Sequence, residues 1–152
     1  MEGNIILSVC IATYNRCEIL KKKLEMIFDI ASDELEVLVL DDASSDGTRE
    51  MLMNTHDPRL AVLNNAERNG DKKDGVMQNW YKLFESCRGK FAFHLNDRDL
   101  IDTDGVVDLI AFLKNHPTVM GGLCNIRGGT SCLNLPKNAL WRSLTLDRIQ
   151  LA

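Results

Sequence analysis

The sequence predicts an α/β fold in three layers, with helices on both faces of a mostly parallel sheet. Two observations carry that prediction. Short, nearly continuous apolar runs rich in β-branched residues, at 5–12 (IILSVCIA) and 35–40 (LEVLVL), read as strands buried on both faces. Between such runs the apolar spacing changes to that of a helix. A third observation sets the scale. With 152 residues, 45% hydrophobic and 26% charged, the chain can bury a real core. That excludes a disordered tail, a collagen-like repeat and a coiled coil.

Taken in order, residues 5–12 form the first strand. Over 17–30, Leu20, Leu24, Ile27 and Phe28 recur at helical spacing, and Lys21, Lys22 and Lys23 read as a solvated helix face. The second strand, 35–40, ends at Asp41 and Asp42. Asp46-Gly47-Thr48 opens a short helix to about Asn54, with Ser45 or Asp46 as its N-cap. A third strand at 60–63 follows Asp57-Pro58, and a polar loop spans 64–73. Apolar side chains at 76, 77, 80, 83, 84 and 87 make 75–87 an amphipathic helix. The fourth strand, 90–95, closes on Asn96-Asp97-Arg98-Asp99. Asp102 or Thr103 caps a helix to about Asn115, which His116-Pro117 ends. A fifth strand is expected at 118–124 and a terminal helix at 140–149.

Several function classes are disfavoured. The net charge is −4, without a basic block, so nucleic acid is not expected as a partner. Five cysteines at irregular spacing, with no CxxC pair, argue against a disulfide framework or a zinc site and for a reducing compartment. No apolar run reaches the ~20 residues of a membrane span. The N-terminus lacks the basic flank of a signal peptide, and the expected location is cytoplasmic.

In open parallel sheets ligands bind beyond the carboxyl ends of the strands. Three polar segments fall there: 13–16, 41–46 and 96–99. Asp97 and Asp99 flank Arg98, and in an extended segment their side chains point the same way. Two hard oxygen ligands suit Mg²⁺ or Mn²⁺, although alone they read better as a solvated turn with helix-capping carboxylates. One carboxylate of Asp41-Asp42 could accept hydrogen bonds from a base or ribose, or cap a turn. Tyr14 could stack on a base and Arg16 could approach a phosphate. His94, inside FAFHL, reads as a packed histidine.

Residues 8–16 (SVCIATYNR), 36–48 (EVLVLDDASSDGT) and 94–101 (HLNDRDLI) together resemble family 2 glycosyltransferases of the Rossmann-like GT-A fold. The resemblance implies transfer of a sugar from a nucleotide-sugar, most often a UDP-sugar, with inversion at the anomeric carbon. It implies that Ala12, Thr13 and Tyr14 hold the uracil and that Asp42 reads the base. Arg16 and Arg68 would approach the donor, the latter on a loose alignment. Asp97 and Asp99 fall on the family's DxD motif, with Asp99 the metal ligand and Asp97 also facing ribose and sugar. Mn²⁺ or Mg²⁺ is the implied cofactor, and a carbohydrate or lipid-linked molecule the implied acceptor, reached in the cytoplasm or at the cytoplasmic face of a membrane.

Two departures stand out. Arg98 occupies a position where many relatives carry a third acid. Beyond Asp108 the only acidic residue is Asp147, outside any motif matching the family's general base. The expectation is therefore a donor-binding domain over 1–124 and the start of an acceptor-side region or terminal helix over 125–152, truncated at the C-terminus. An uncovered sheet edge or apolar face would favour a homo-oligomer. The competing readings are a non-catalytic nucleotide-sugar-binding module and a nucleotidyltransferase. The latter would need a Gly-rich basic loop where Thr13-Tyr14-Asn15-Arg16 stands.

Overall fold

The computed structural model describes residues 4–99 and 101–119. They fall into two compact units, the first ending at Thr103 and the second beginning at Asp104. The first contains β1 (Leu7–Thr13), α1 (Cys17–Phe28), β2 (Leu35–Asp41), α2 (Thr48–Met53), β3 (Leu60–Asn64), α3 (Gly75–Glu85) and β4 (Phe91–His94). All pairings are parallel and the strand order is β3-β2-β1-β4. Register sets Leu7 opposite Leu35 and Phe91, and Asp41 opposite Asn64. The carboxyl ends of the strands therefore share one edge.

The central positions of β1 and β2 explain their composition. Every residue of β2 is buried, so neither face leaves room for a polar alternation. On one face Cys10, Leu38 and Leu40 pack with Leu83 of α3, and Ala12, Leu63, Trp80 and Cys87 close around them. Successive side chains alternate faces, which sends the fully buried Val9, Ile11, Val37 and Val39 to the other side. The chain steps from β1 through β2 to β3 in one direction and returns to β4 in the other. Right-handed crossovers then put α3 on the face opposite α1 and α2. The second unit is described through α4 (Thr103–Asn115), which buries Val106, Leu109, Ile110 and Leu113 at helical spacing.

Three expectations need correction or limits. Lys23 is not on a solvated face: it is buried on the same stripe of α1 as Leu20, Leu24 and Ile27, because a long aliphatic stem fits an apolar slot if its ammonium finds a polar partner. The cap of α2 is Gly47, at φ 91°, a conformation that costs glycine nothing. Asp46 still serves that end, accepting the N–H of Thr48 at 3.1 Å and, with its other oxygen, the N–H of Cys17 at 3.1 Å. One carboxylate thus meets the positive ends of two helices. The expected fifth strand begins with residues 118 and 119, which are not in a strand; its remainder, the 140–149 helix and the 124/125 boundary lie outside the described residues.

A buried acid ties down the amino end of the sheet. Glu36 of β2 accepts Ser8 Oγ at 2.6 Å, the Arg88 N–H at 2.6 Å and Arg88 Nε at 2.7 Å, with Gly89 N–H at 3.2 Å. These bonds fasten the α3–β4 turn to β1 and β2. Cys10 is buried with its Sγ 3.3 Å from that of Cys87, and burial, with the neighbouring thiol adding to it, pushes the Cys10 pKa well above the ordinary thiol range. No helix among the described residues is long and apolar enough to cross a membrane.

Candidate functional site

Three strand ends converge at the carboxyl edge, and their loops are sewn together. Asp42 donates its N–H to the Thr13 carbonyl at 2.9 Å. Asn15 donates its N–H to Ser44 Oγ at 2.9 Å and accepts the Ser45 N–H on Oδ1 at 2.8 Å. Both turns pass through left-handed backbone at non-glycine residues, Asn15 at φ 50° and Ala43 at φ 61°. Such strain persists only where the surroundings over-determine it, and it gathers at sites that must hold a shape.

Arg68 and Tyr14, read separately from the sequence, meet here. The guanidinium lies 3.8 Å from the centroid of the Tyr14 ring. Arg68 also pairs with Asp71 at 3.0 Å, an exposed contact of little energetic weight. Across the edge, Asp97 Oδ2 accepts Thr13 Oγ1 at 3.4 Å, and Arg16 Nε stands 4.0 Å from the same oxygen. Asp99 Oδ2 accepts Asn96 Nδ2 at 2.8 Å. Ala12 turns its side chain into the core on the α3 face, leaving only its main chain for a ligand. His94 sets its ring 3.6 Å from that of Trp80 but is exposed overall rather than packed inside, and the partial burial of the ring pushes its pKa down.

Asp42 is placed as expected but is more occupied than expected. Its Oδ1 accepts the Asn65 side-chain amide at 2.6 Å and the Asn69 N–H at 2.8 Å, while Oδ2 accepts the Gly70 N–H at 2.8 Å. Burial works against its charge. The donors outweigh burial and hold its pKa below the usual carboxylate range. Among the described residues Oδ2 takes one of these three hydrogen bonds and Oδ1 two, and the Asn79 side chain also helps to hold the charge. Behind it, Asn79 Oδ1 accepts the amides of Asn65 at 2.8 Å and Asn69 at 3.2 Å, and Lys82 Nζ donates to Asn65 Oδ1 at 2.7 Å.

Asn65, Asn69 and Asn79 escape a reading by motif. Only Asn79 left a signal: it is polar on the α3 stripe that buries Gly75 and Leu83. Gly75 belongs to the same construction, since a Cβ there would lie 1.7 Å from the Asn69 carbonyl oxygen. Gly75→Ala is expected to force the 65–70 loop off Asp42 and to destabilise the chain by about 3 kcal/mol or more, as overpacking against immovable backbone does. Urea denaturation checks it; a midpoint within error of wild type would contradict the packing described.

Asp97 and Asp99 each keep Oδ1 without a hydrogen bond among the described residues. Two hard carboxylates fit Mg²⁺ or Mn²⁺, which take one or two carboxylates and complete their shell with phosphate oxygens and water. No group of three or more acids, histidines or cysteines able to hold a metal occurs among the described residues. A cavity of about 450 Å³ lies at the opposite end of the sheet, lined by Ile5, Asp33, Leu35, Glu36, Arg59 and Arg88. Its arginines are already committed, Arg59 to Asp57 and the Phe28 and Ile30 carbonyls, Arg88 to Glu36. The carboxyl edge is the better candidate.

The family model described as "Glycosyl transferase family 2" matches residues 8–150. The chain belongs to glycosyl transferase family 2. A curated relative is the GalNAc(5)-diNAcBac-PP-undecaprenol beta-1,3-glucosyltransferase of Campylobacter jejuni, 32% identical over 99 residues, which are 61% of this chain and 29% of that protein. Among solved structures, S. aureus TarS 1-349 superimposes with a TM-score of 0.67 at 24% identity, covering 84% of this chain and 39% of that one. The mannosyltransferase PcManGT of Pyrobaculum calidifontis, in complex with GDP-Man and Mn²⁺, gives 0.63 at 22%, covering 80% and 35%. At these identities the structures establish the fold, GT-A. The family 2 chain described here spans under a third of the Campylobacter relative and under two fifths of TarS 1-349.

Proposed function

We propose that this chain is the donor-binding portion of an inverting, metal-assisted glycosyltransferase that takes its sugar from a UDP-sugar. The observation that carries the reading is the meeting, at one sheet edge, of an aromatic ring with its guanidinium, a buried ionised carboxylate, and the Asp97 and Asp99 pair. In this reading the uracil stacks on the Tyr14 ring, whose other face Arg68 covers, and Asp42 Oδ2 accepts the uracil N–H. Thr13 and Asp97 face ribose and sugar, and Arg16 faces the diphosphate. Asp97 and Asp99 would hold Mn²⁺ or Mg²⁺, which when bound offsets the charge that grows on the leaving diphosphate.

The reaction is a single displacement. The acceptor oxygen bonds to the anomeric carbon from the face opposite the diphosphate, the bond to the β-phosphate oxygen breaks, and UDP leaves. The acceptor's proton must pass to a base, and no residue of this chain is assigned that role. Support for the donor comes from TarS, solved with UDP and with UDP-GlcNAc. Support for a lipid-linked acceptor comes from the undecaprenol in the Campylobacter enzyme's name.

Calorimetry with UDP, with and without Mn²⁺, is the test. Binding is expected in both conditions and several-fold tighter with Mn²⁺. Asp99→Ala is expected to bind UDP no more weakly than the metal-free wild type does and to ignore Mn²⁺, because a methyl group cannot replace a carboxylate on a divalent ion. A folded chain that gives no heat at millimolar UDP plus Mn²⁺, or an Asp99→Ala variant that keeps its metal response, would defeat the reading.

A further inference from the structure

Lys23 is a buried cation beneath the candidate metal loop. It is 5% exposed, on the apolar stripe of α1, and its ammonium donates to the main-chain carbonyl oxygen of Asn96. Asn96 begins the Asn96-Asp97-Arg98-Asp99 turn. The fields of Asp97 and Asp99 act on the ammonium, yet it hydrogen-bonds to neither carboxylate. Burying an ammonium is costly when a methionine or leucine would fill the same slot. A loop tether alone could be built from a neutral amide. What a lysine adds is a positive charge.

We propose that Lys23 is a positioning residue that supplies an internal counter-charge to Asp97 and Asp99, so that a divalent cation joins the site together with a nucleoside diphosphate and not before it. This rests on the donor-site reading above. The charges carry the argument. Asp97 and Asp99 bring two negative charges, and Lys23 together with Arg16, 4.0 Å from Asp97, brings two positive ones, besides the exposed Arg98 between the aspartates. A cation arriving alone meets carboxylates whose charge is already offset. A diphosphate arriving alone meets Lys23 and Arg16, which favour it. Once it is bound, its oxygens restore the negative charge that a divalent ion needs and complete the coordination that two aspartates leave open. At an effective dielectric near 20, the repulsion between a unit charge and a divalent ion a few ångströms away is worth at least about tenfold in affinity, even after screening.

The test compares wild type with Lys23→Met, which keeps an unbranched stem of similar volume. Mn²⁺ binding to the nucleotide-free chain is read from the electron paramagnetic resonance of free Mn²⁺. UDP binding is read by calorimetry in EDTA and in Mn²⁺. Wild type is expected to hold Mn²⁺ weakly until UDP is added. Lys23→Met is expected to hold nucleotide-free Mn²⁺ about tenfold more tightly and to lose about tenfold in UDP affinity in EDTA. A mere tether would behave otherwise: its loss would loosen the turn and weaken both ligands together, and that result would overturn the proposal. If Lys23→Met does not fold, wild type decides, because nucleotide-free Mn²⁺ binding as tight as that in the UDP complex would overturn it equally. If UDP gives no signal in any condition, the donor reading falls, while the Mn²⁺ comparison between the two proteins still decides the role of Lys23.

Discussion

Asp42→Ala is expected to cost the fold about 3 kcal/mol and to remove measurable UDP binding. The carboxylate takes three donors, the Asn65 amide and the N–H groups of Asn69 and Gly70. Each would be left facing a methyl group at the end of β2, and an orphaned buried donor costs about 1–3 kcal/mol, less where water enters. The same loss frees the 65–70 loop, which carries Arg68 to the ring of Tyr14. Asp42→Asn is a poor rescue, because an amide offers one acceptor oxygen and turns its own donors toward N–H groups. Urea denaturation measures the first effect and calorimetry the second. A variant with wild-type stability and UDP affinity would mean that this network holds nothing in place.

Glu36→Ala is expected to cost a similar amount, about 3 kcal/mol, while leaving UDP affinity of the folded protein unchanged. Glu36 is 1% exposed and accepts from Ser8, Arg88 and Gly89, so its removal strands donors of β1 and of the α3–β4 turn. It lies at the amino end of the sheet, away from Tyr14, Asp42 and Asp99. The pH dependence follows from the direction of its pKa. Burial opposes ionisation, but the bonds from Ser8 and Arg88 outweigh it and hold Glu36 below the usual glutamate value. A carboxylate depressed in the folded state contributes its stability above the unfolded pKa and loses it as pH falls through the folded one. Wild type should therefore lose stability on acidification from about pH 4.5 downward. Glu36→Gln should begin less stable and lack that part of the decline. Parallel acid curves for the two would contradict the assignment.

The eight described elements were legible because each rests on local signals, apolar patterning for most and turn or capping residues for α2 and β3. β1 and β2 read as buried strands from unbroken apolar runs, and α3 from its spaced apolar positions. Three polar segments at strand ends were legible for a topological reason, since parallel strands deliver their carboxyl ends to one edge. What stayed hidden depends on pairs distant in sequence. Nothing local to Asp42 shows that Asn69 and Gly70 return to it across 27 and 28 positions. Nothing in Lys21-Lys22-Lys23 separates the third lysine from its neighbours except the helical step that aligns it with Leu20, Leu24 and Ile27. Nothing local to Glu36 explains why β2 buries it whole, because its partners arrive from residues 88 and 89.

Most directly, the central claim is tested by titrating UDP and Mn²⁺ into isotope-labelled protein and following the amide resonances. A donor site at the carboxyl edge predicts shifts confined to residues 12–16, 41–46, 65–70 and 96–99, with Mn²⁺ broadening strongest around Asp97 and Asp99. Shifts gathered instead around Asp33, Arg59 and Arg88, at the cavity on the opposite end of the sheet, would contradict it.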